Sequence, residues 1–162
     1  MDVTFHADDG WFIYRVGAIL VRDGRVLMAH NDRDPFYYSV GGRVHLGESA
    51  DDALRREVEE ELGAPPASQQ LVAINENFFP MHQHEDNAHE ICLYYMITMP
   101  PDWELDNRRE SWADGVAGDV PMAEWYEFLP LDRFGEMLVY PAWLPAELAR
   151  PWAGIRHIIT RE

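Results

Sequence analysis

The sequence predicts an α/β fold, a mixed β-sheet with helices on both faces, and three observations lead to it. Apolar runs bounded by turn signals stand before and after one sharply marked helix. The order of strands and helices suits an α/β/α sandwich of helix, sheet and helix. A length of 162 residues, 47% hydrophobic and 12% aromatic, gives one domain over residues 1–162 with room for a proper core.

From Trp11 to His30 two apolar runs flank Asp23-Gly24, a two-residue turn that joins antiparallel strands, so this stretch reads as a hairpin. Asn31 to Pro35 is a polar loop, and Phe36 to Val40 a short strand leading into Gly41 and Gly42. Ser49 is an N-cap with Asp52 closing a capping box, and Gly63 is a C-terminal stop, which sets a helix from Ala50 to Leu62. Pro65 and Pro66 break it firmly. Leu71 to Phe79 and His89 to Met99 form a strand pair joined by a polar loop from Met81 to Ala88. Asp102 to Val120 is polar and turn-rich, Glu124 to Leu129 is a last strand, and Leu131 to Leu138 is a helix opened after Pro130. The stretch from Pro141 carries no assignable pattern, and there is no internal repeat or linker.

The central helix concentrates its acids. At about 100° per residue, with Ala53 as zero, Glu60, Glu57 and Glu61 fall at roughly −20°, 40° and 80°, beside Leu54, Val58 and Leu62 at roughly 100°, 140° and 180°. Glu59, at about −120°, lies off both stripes and is set aside as solvated. Like charges three or four residues apart destabilise a helix, so three carboxylates beside an apolar stripe suit a hard divalent cation, magnesium or manganese ahead of zinc. The bland alternative is a solvated face in which Arg56 pairs with Glu60 and Arg55 with Glu59.

The residues around the helix bear on that choice. Gly42, Glu48, Arg56, Glu57, Val58, Glu60, Glu61 and Gly63 stand at a spacing that closely resembles the Nudix box of the Nudix hydrolases, over Gly42 to Ala64. The one departure is Ala64, where that family prefers a larger aliphatic residue. The resemblance implies a Nudix α/β/α sandwich, Mg2+ or Mn2+ as cofactor, and hydrolysis of the pyrophosphate linkage of a nucleoside diphosphate joined to another group, such as a nucleotide sugar like ADP-ribose. Two other functions remain open at this point: a house-cleaning nucleoside triphosphate pyrophosphohydrolase, and a nucleotide-sensing Nudix domain without catalysis. By the same resemblance Glu57, Glu60 and Glu61 are metal ligands with the Gly42 carbonyl, Glu57 and Glu60 are catalytic, and Glu48 and Arg56 orient the box carboxylates. Asp119, six residues before Trp125, is a second choice for the general base.

Outside the box the chemistry is less sharply marked. His82, His84, Glu85, Asp86 and His89 form either a second metal site, a substrate flap, or an ordinary polar loop. Glu90 is a candidate fourth carboxylate. Arg108 and Arg109 are candidates for binding phosphate or sugar, and Phe79 for stacking on a base. Phe78, Trp103, Trp112, Tyr94 and Tyr95 offer similar platforms, though strand aromatics more often fill cores. Pro80 stands where some ADP-ribose-cleaving members of the family carry proline, and a strand end explains it equally well.

Composition narrows the partners. A net charge of −16, from 29 acids against 13 bases, argues against nucleic acid and anionic membranes, which require basic patches. The expected partner is a small nucleotide substrate, with a homodimer open. Every basic side chain counted among the 13 is arginine. The single Cys92 excludes an internal disulfide and sits in an apolar run as a buried, inert thiol. Asp2, Asp8 and Asp9 precede any apolar stretch, so no secretory signal is read and the expected location is cytoplasmic.

Overall fold

The computed structural model describes residues 1–81, 86–113 and 120–161. In chain order these form β1 (Thr4–Ala7), β2 (Gly10–Ile19), β3 (Val21–Arg22), β4 (Arg25–Asn31), β5 (Tyr37–Tyr38), β6 (Gly41–Arg43) and α1 (Ala50–Leu62). There follow β7 (Ser68–Pro80), β8 (Asn87–Thr98), β9 (Arg108–Ala113), β10 (Val120–Pro130), a 3-10 helix (Leu131–Glu136), β11 (Val139–Tyr140), α2 (Leu144–Leu148) and β12 (Arg156–Arg161).

The strands form two mixed sheets where the sequence suggested one. The first runs β1-β2-β8-β7-β12 with β6 beside β2, and the second β11-β5-β4-β10-β9 with β3 beside β4. The Asp23-Gly24 turn is present, both residues at positive φ (51° and 70°), as a two-residue hairpin turn requires. The strands it joins part at Leu20. Val21 and Arg22 pair with Val26 and Arg25, whereas β2 runs parallel to β8 and β4 pairs with β10. Both runs are apolar enough to be central strands, and local sequence does not say which neighbour each takes.

Helix α1 has the bounds and caps its sequence predicts. The Ser49 hydroxyl accepts from the Asp52 amide at 3.2 Å, and Gly63, at φ 78°, donates its N–H to the Glu59 carbonyl at 3.0 Å. Ala53, Leu54, Val58 and Leu62 are buried, packed with Val16, Ala18, Leu27, Tyr95 and Tyr126 in one core cluster. At about 1.5–3 kcal/mol per fully buried large side chain, this stripe fixes the rotation of the helix and hence the heading of its acids. A second cluster joins Ile19, Met28, Cys92 and Tyr94 to Phe134 of the 3-10 helix and Leu144 of α2. Helical elements thus lie on both sides, as an α/β fold of this kind demands.

On the first sheet a single cross-strand row runs through five strands, Phe5, Phe12, His89, Phe78 and Arg161 being successive register partners. Phe5 stacks on Phe12 at 5.3 Å, Phe78 on His89 at 4.3 Å, and the Arg161 guanidinium lies 4.1 Å from the Phe78 centroid. Such pairs add roughly 0.2–1 kcal/mol each to a sheet.

Several boundaries differ from expectation. Residues 108–113 of the expected polar stretch form β9, which among the described residues is an edge strand paired with β10 and whose polar composition disguises it. The strand expected over Glu124 to Leu129 spans Val120–Pro130 and is not the last. Leu131 to Leu138 yields only a six-residue 3-10 helix, capped by no side chain. The unassigned stretch holds α2 and the edge strand β12, which pairs parallel with β7. Pro80 ends β7. No helix among the described residues is long and apolar enough to cross a membrane.

Candidate active site

The turn before α1 is built by its two glycines, each for its own reason. Gly41 has φ 139°, and a Cβ there would stand 2.2 Å from the Val16 carbonyl oxygen. Gly42 has ordinary angles, but a Cβ would stand 2.4 Å from the Glu57 carboxylate, which lies directly over it. Gly42→Ala is therefore expected to keep its fold while pushing that carboxylate aside, lowering kcat about 10–100-fold with a melting temperature close to wild type. Steady-state kinetics beside thermal melting would check it.

Arg56 ties the turn to the helix. Its Nε and Nη2 donate to the two oxygens of Glu48 at 2.8 and 2.9 Å, Nη1 donates to Glu57 at 2.6 Å and lies 3.5 Å from Glu60, and Nη2 also reaches the Arg43 carbonyl at 3.0 Å. Glu48 further accepts from the His45 amide at 3.0 Å. Bonding to Arg56 holds the Glu48 carboxyl down to about 2. A depressed carboxylate stabilises the fold fully above its unfolded value near 4.5 and loses that contribution as pH falls toward 2. Glu48→Gln is expected to lower stability near neutral pH and to flatten the acid limb between about pH 4.5 and 2, measurable by denaturation across that range.

The box acids take three different positions. Glu57 is partly buried; burial raises its pKa, with the Arg56 bond opposing. Glu60 is 60% exposed. Glu61 accepts from the Gly41 amide at 3.2 Å, and burial first, then the charges of Glu124 and Glu57, raise its pKa well above the ordinary value. Glu59 is exposed, in keeping with its exclusion. Among the described residues no three acid, imidazole or thiol groups are gathered as a ready cation cage, because Glu57 is drawn to Arg56 and Glu60 turns to solvent. The donor set still fits a hard divalent ion. It is all oxygen, and the crowding of Glu57, Glu61 and Glu124 is a negative charge that a cation would relieve.

Glu124 was not singled out from sequence. It is 4% exposed on β10 and accepts from Tyr38 Oη at 2.5 Å and from Tyr126 Oη. An acid inside the run Ala123 to Leu129 is the signal that points to it, since acids are seldom buried without partners. Arg15 gives the same kind of signal on β2. Desolvation opposes its charge, yet Glu90, Cys92, Tyr94 and Glu61 together hold the guanidinium more firmly protonated; its side chain is half-buried, and its Nη1 lies 3.9 Å from the buried Glu90.

These groups open on one cavity of about 780 Å3, lined from both sheets, α1 and residues 140–143. Glu57, Glu60, Glu61, Gly42, Arg56 and Glu124 border it, as do Phe79, Glu90 and Cys92. Burial pushes the Cys92 thiol up, so it stays protonated and inert. Tyr94 meets Trp143 edge-on at 4.9 Å in the cavity wall. Trp103 and Tyr95 serve the core instead: Trp103 Nε1 donates to the Leu62 carbonyl at 2.8 Å, and Tyr95 Oη to Asp51 at 2.7 Å. Phe78 faces His89 in the cross-strand row. Arg108 and Arg109 lie on β9, in register with Trp125 and Glu124. Asp119, His82, His84 and Glu85 lie outside the described residues. Asp86 is bonded to His6 at 3.1 Å, and His89 stands 3.8 Å from Glu76.

The comparisons with known proteins agree with this geometry. The family model described as NUDIX domain matches residues 11–147. The chain belongs to the Nudix family. As a Nudix enzyme it is a pyrophosphohydrolase, of a family that acts on small nucleotide-like substrates and generally uses divalent metal ions. A MutT protein from Bacillus halodurans superposes with a TM-score of 0.64 at 16% identity, covering 90% of this chain and 89% of that one. A MutT NUDIX hydrolase from Burkholderia pseudomallei gives 0.58 at 22% identity over 86% and 98%. An ADP-ribose pyrophosphatase from Streptococcus suis gives 0.54 at 17% identity over 90% and 98%. At such identities these likenesses show the fold. No curated protein gives a significant match.

Proposed function

We propose that this Nudix enzyme hydrolyses the pyrophosphate linkage of a nucleoside diphosphate joined to a second group, using Mg2+ or Mn2+ held by Glu57, Glu60, Glu61 and the Gly42 carbonyl. The observation that carries the reading is the meeting of an arginine-braced acid cluster with a cavity whose lining also includes polar and aromatic side chains. A bound divalent ion would neutralise phosphate charge and lower the pKa of a water molecule. The chain's own groups do the rest. Arg56 holds Glu57 in place, and Glu57 takes the proton from the attacking water; Asp119 is the second choice for that task. Arg15 and Arg43, in the cavity wall, supply positive charge for phosphate oxygens. Phe79 supports the base, and Arg108 and Arg109 are kept as further phosphate or sugar contacts. A cytoplasmic setting belongs to the proposal, and a net charge of −16 supports a small-molecule substrate over nucleic acid.

Turnover of nucleotide sugars and nucleoside triphosphates with Mg2+ or Mn2+, run in 18O-labelled water, tests this reading. Label in a nucleoside monophosphate or in the phosphate of the second group supports it. Release of inorganic pyrophosphate from triphosphates alone would replace it with the house-cleaning activity, and tight binding without turnover would replace it with a sensor.

A further inference from the structure

The first sheet has two faces of different character. Arg15, Asn75, Glu90 and Cys92 point from one of them into the cavity. Side chains alternate along a strand, so their neighbours point the other way, and there helix α1 covers only the end that holds Val16, Tyr95 and Ile97. Beyond the helix lie Phe5, Phe12, Ile74, Phe78, Ile91 and Ile159, none of them a member of either core cluster. Phe5 is 54% and Ile159 57% exposed, and the other four are partly exposed. Six apolar side chains on one flat stretch make a patch of the kind that marks an interaction surface.

We propose that two copies of the chain meet on this face, stacked sheet on sheet about a two-fold axis that runs along β8. The strand order β1-β2-β8-β7-β12 has β8 at its centre, so such an axis lays β1 on the β12 of the second copy and β2 on its β7. The cross-strand row is matched to that exchange: Phe5 and Phe12 at one end come to lie over Arg161 and Phe78 at the other, a ring against a guanidinium and a ring against a ring. Charge permits the contact here. A chain of net charge −16 repels its own copy over most of its surface. Among the described residues this part of the face holds one acid, Glu76, which is met by His157 at 2.6 Å and lies 3.8 Å from His89. The size suffices as well. Five strands about 4.8 Å apart and about three rows of outward side chains roughly 7 Å apart offer roughly 500 Å2 per copy, or about 1,000 Å2 for the pair, the area at which specific interfaces begin.

The test is sedimentation of the full chain over a range of concentrations, without metal or nucleotide. A monomer–dimer equilibrium is expected, reaching twice the mass of one chain at the upper end. Phe5→Glu and Ile159→Glu, at exposed positions on opposite edges of the face, are each expected to weaken the dimer at least tenfold, since each sets an unpaired charge against an apolar contact. Leu138→Glu, as exposed but outside this face, is expected to leave the dimer unchanged. Circular dichroism of the diluted variants checks folding. A short bis-maleimide is expected to join two chains of Ile91→Cys, on the central strand, and to leave Phe5→Cys unjoined, because a residue two strands from the axis stands about 20 Å from its counterpart. The native Cys92 is buried and gives no background. A chain that stays monomeric up to its solubility limit would overturn the proposal and leave the face to a different partner. A dimer untouched by both folded glutamate variants, or one that links through Phe5→Cys and not through Ile91→Cys, would overturn it too.

Discussion

Glu61→Gln is expected to lower kcat by about 10²–10³-fold, the usual cost of losing one electrostatic group from a preorganised site, while making the ion-free protein harder to melt. The two effects share one cause. Burial first, and then the charges of Glu124 and Glu57, already raise the pKa of Glu61. An amide of the same shape keeps the bond from the Gly41 amide and removes one charge from the group, but it is a poor ligand for a hard cation. With a chelator present, each kcal/mol of repulsion relieved adds about 2–4 °C to the melting temperature of a chain this size. Addition of Mg2+ is expected to stabilise the wild type and to do little for the variant. A variant that melts earlier than wild type in chelator would show that Glu61 is held by attraction, and the assignment of a cation to this spot would fail.

Arg56→Met is expected to reduce both stability and rate. Arg56 is 23% exposed and its partners Glu48 and Glu57 are 16% and 13% exposed, so its removal strands two largely buried carboxylates. Breaking a fully buried pair on one side costs about 3–5 kcal/mol; solvent access here reduces that to about 2–4, a fall of roughly 4–16 °C in melting temperature. The freed Glu57 carboxylate should cost a further 10–100-fold in kcat. Arg56→Lys keeps the charge but not the fork, and is expected to recover part of the stability and little of the rate. Chemical denaturation with parallel kinetics decides the matter, and a methionine variant as stable as wild type would remove Arg56 from its bracing role.

What the sequence revealed follows the reach of each interaction. Helix α1 was legible to the residue because Ser49, Asp52 and Gly63 act within one turn of its ends. The Asp23-Gly24 turn was legible for the same reason. The division into two sheets was not, since it depends on whether β2 lies against β4 or β8, a contact tens of residues away. β9 and β12 were hidden because an edge strand can be polar, and Arg108–Ala113 and Arg156–Arg161 carry few apolar residues. In the site, the Glu48–Arg56 brace was expected from the resemblance and its members do meet. Glu124, Arg15 and Asn75 were missed as site residues because their meaning comes from what faces them, although a polar residue inside an apolar strand is a usable sign.

The parting of the strands at Leu20 reaches beyond topology. One unbroken run of backbone leaves the first sheet after Ile19, enters the second at Val21 and turns there at Asp23-Gly24, with the Leu27 amide bonded to the Leu20 carbonyl at 2.9 Å. The two walls of the cleft are thereby stitched together covalently at Leu20, as they are again between β5 and β6, β8 and β9, and β11 and β12, so the spacing of the walls is written into the chain at several crossings and not left to side-chain contact alone.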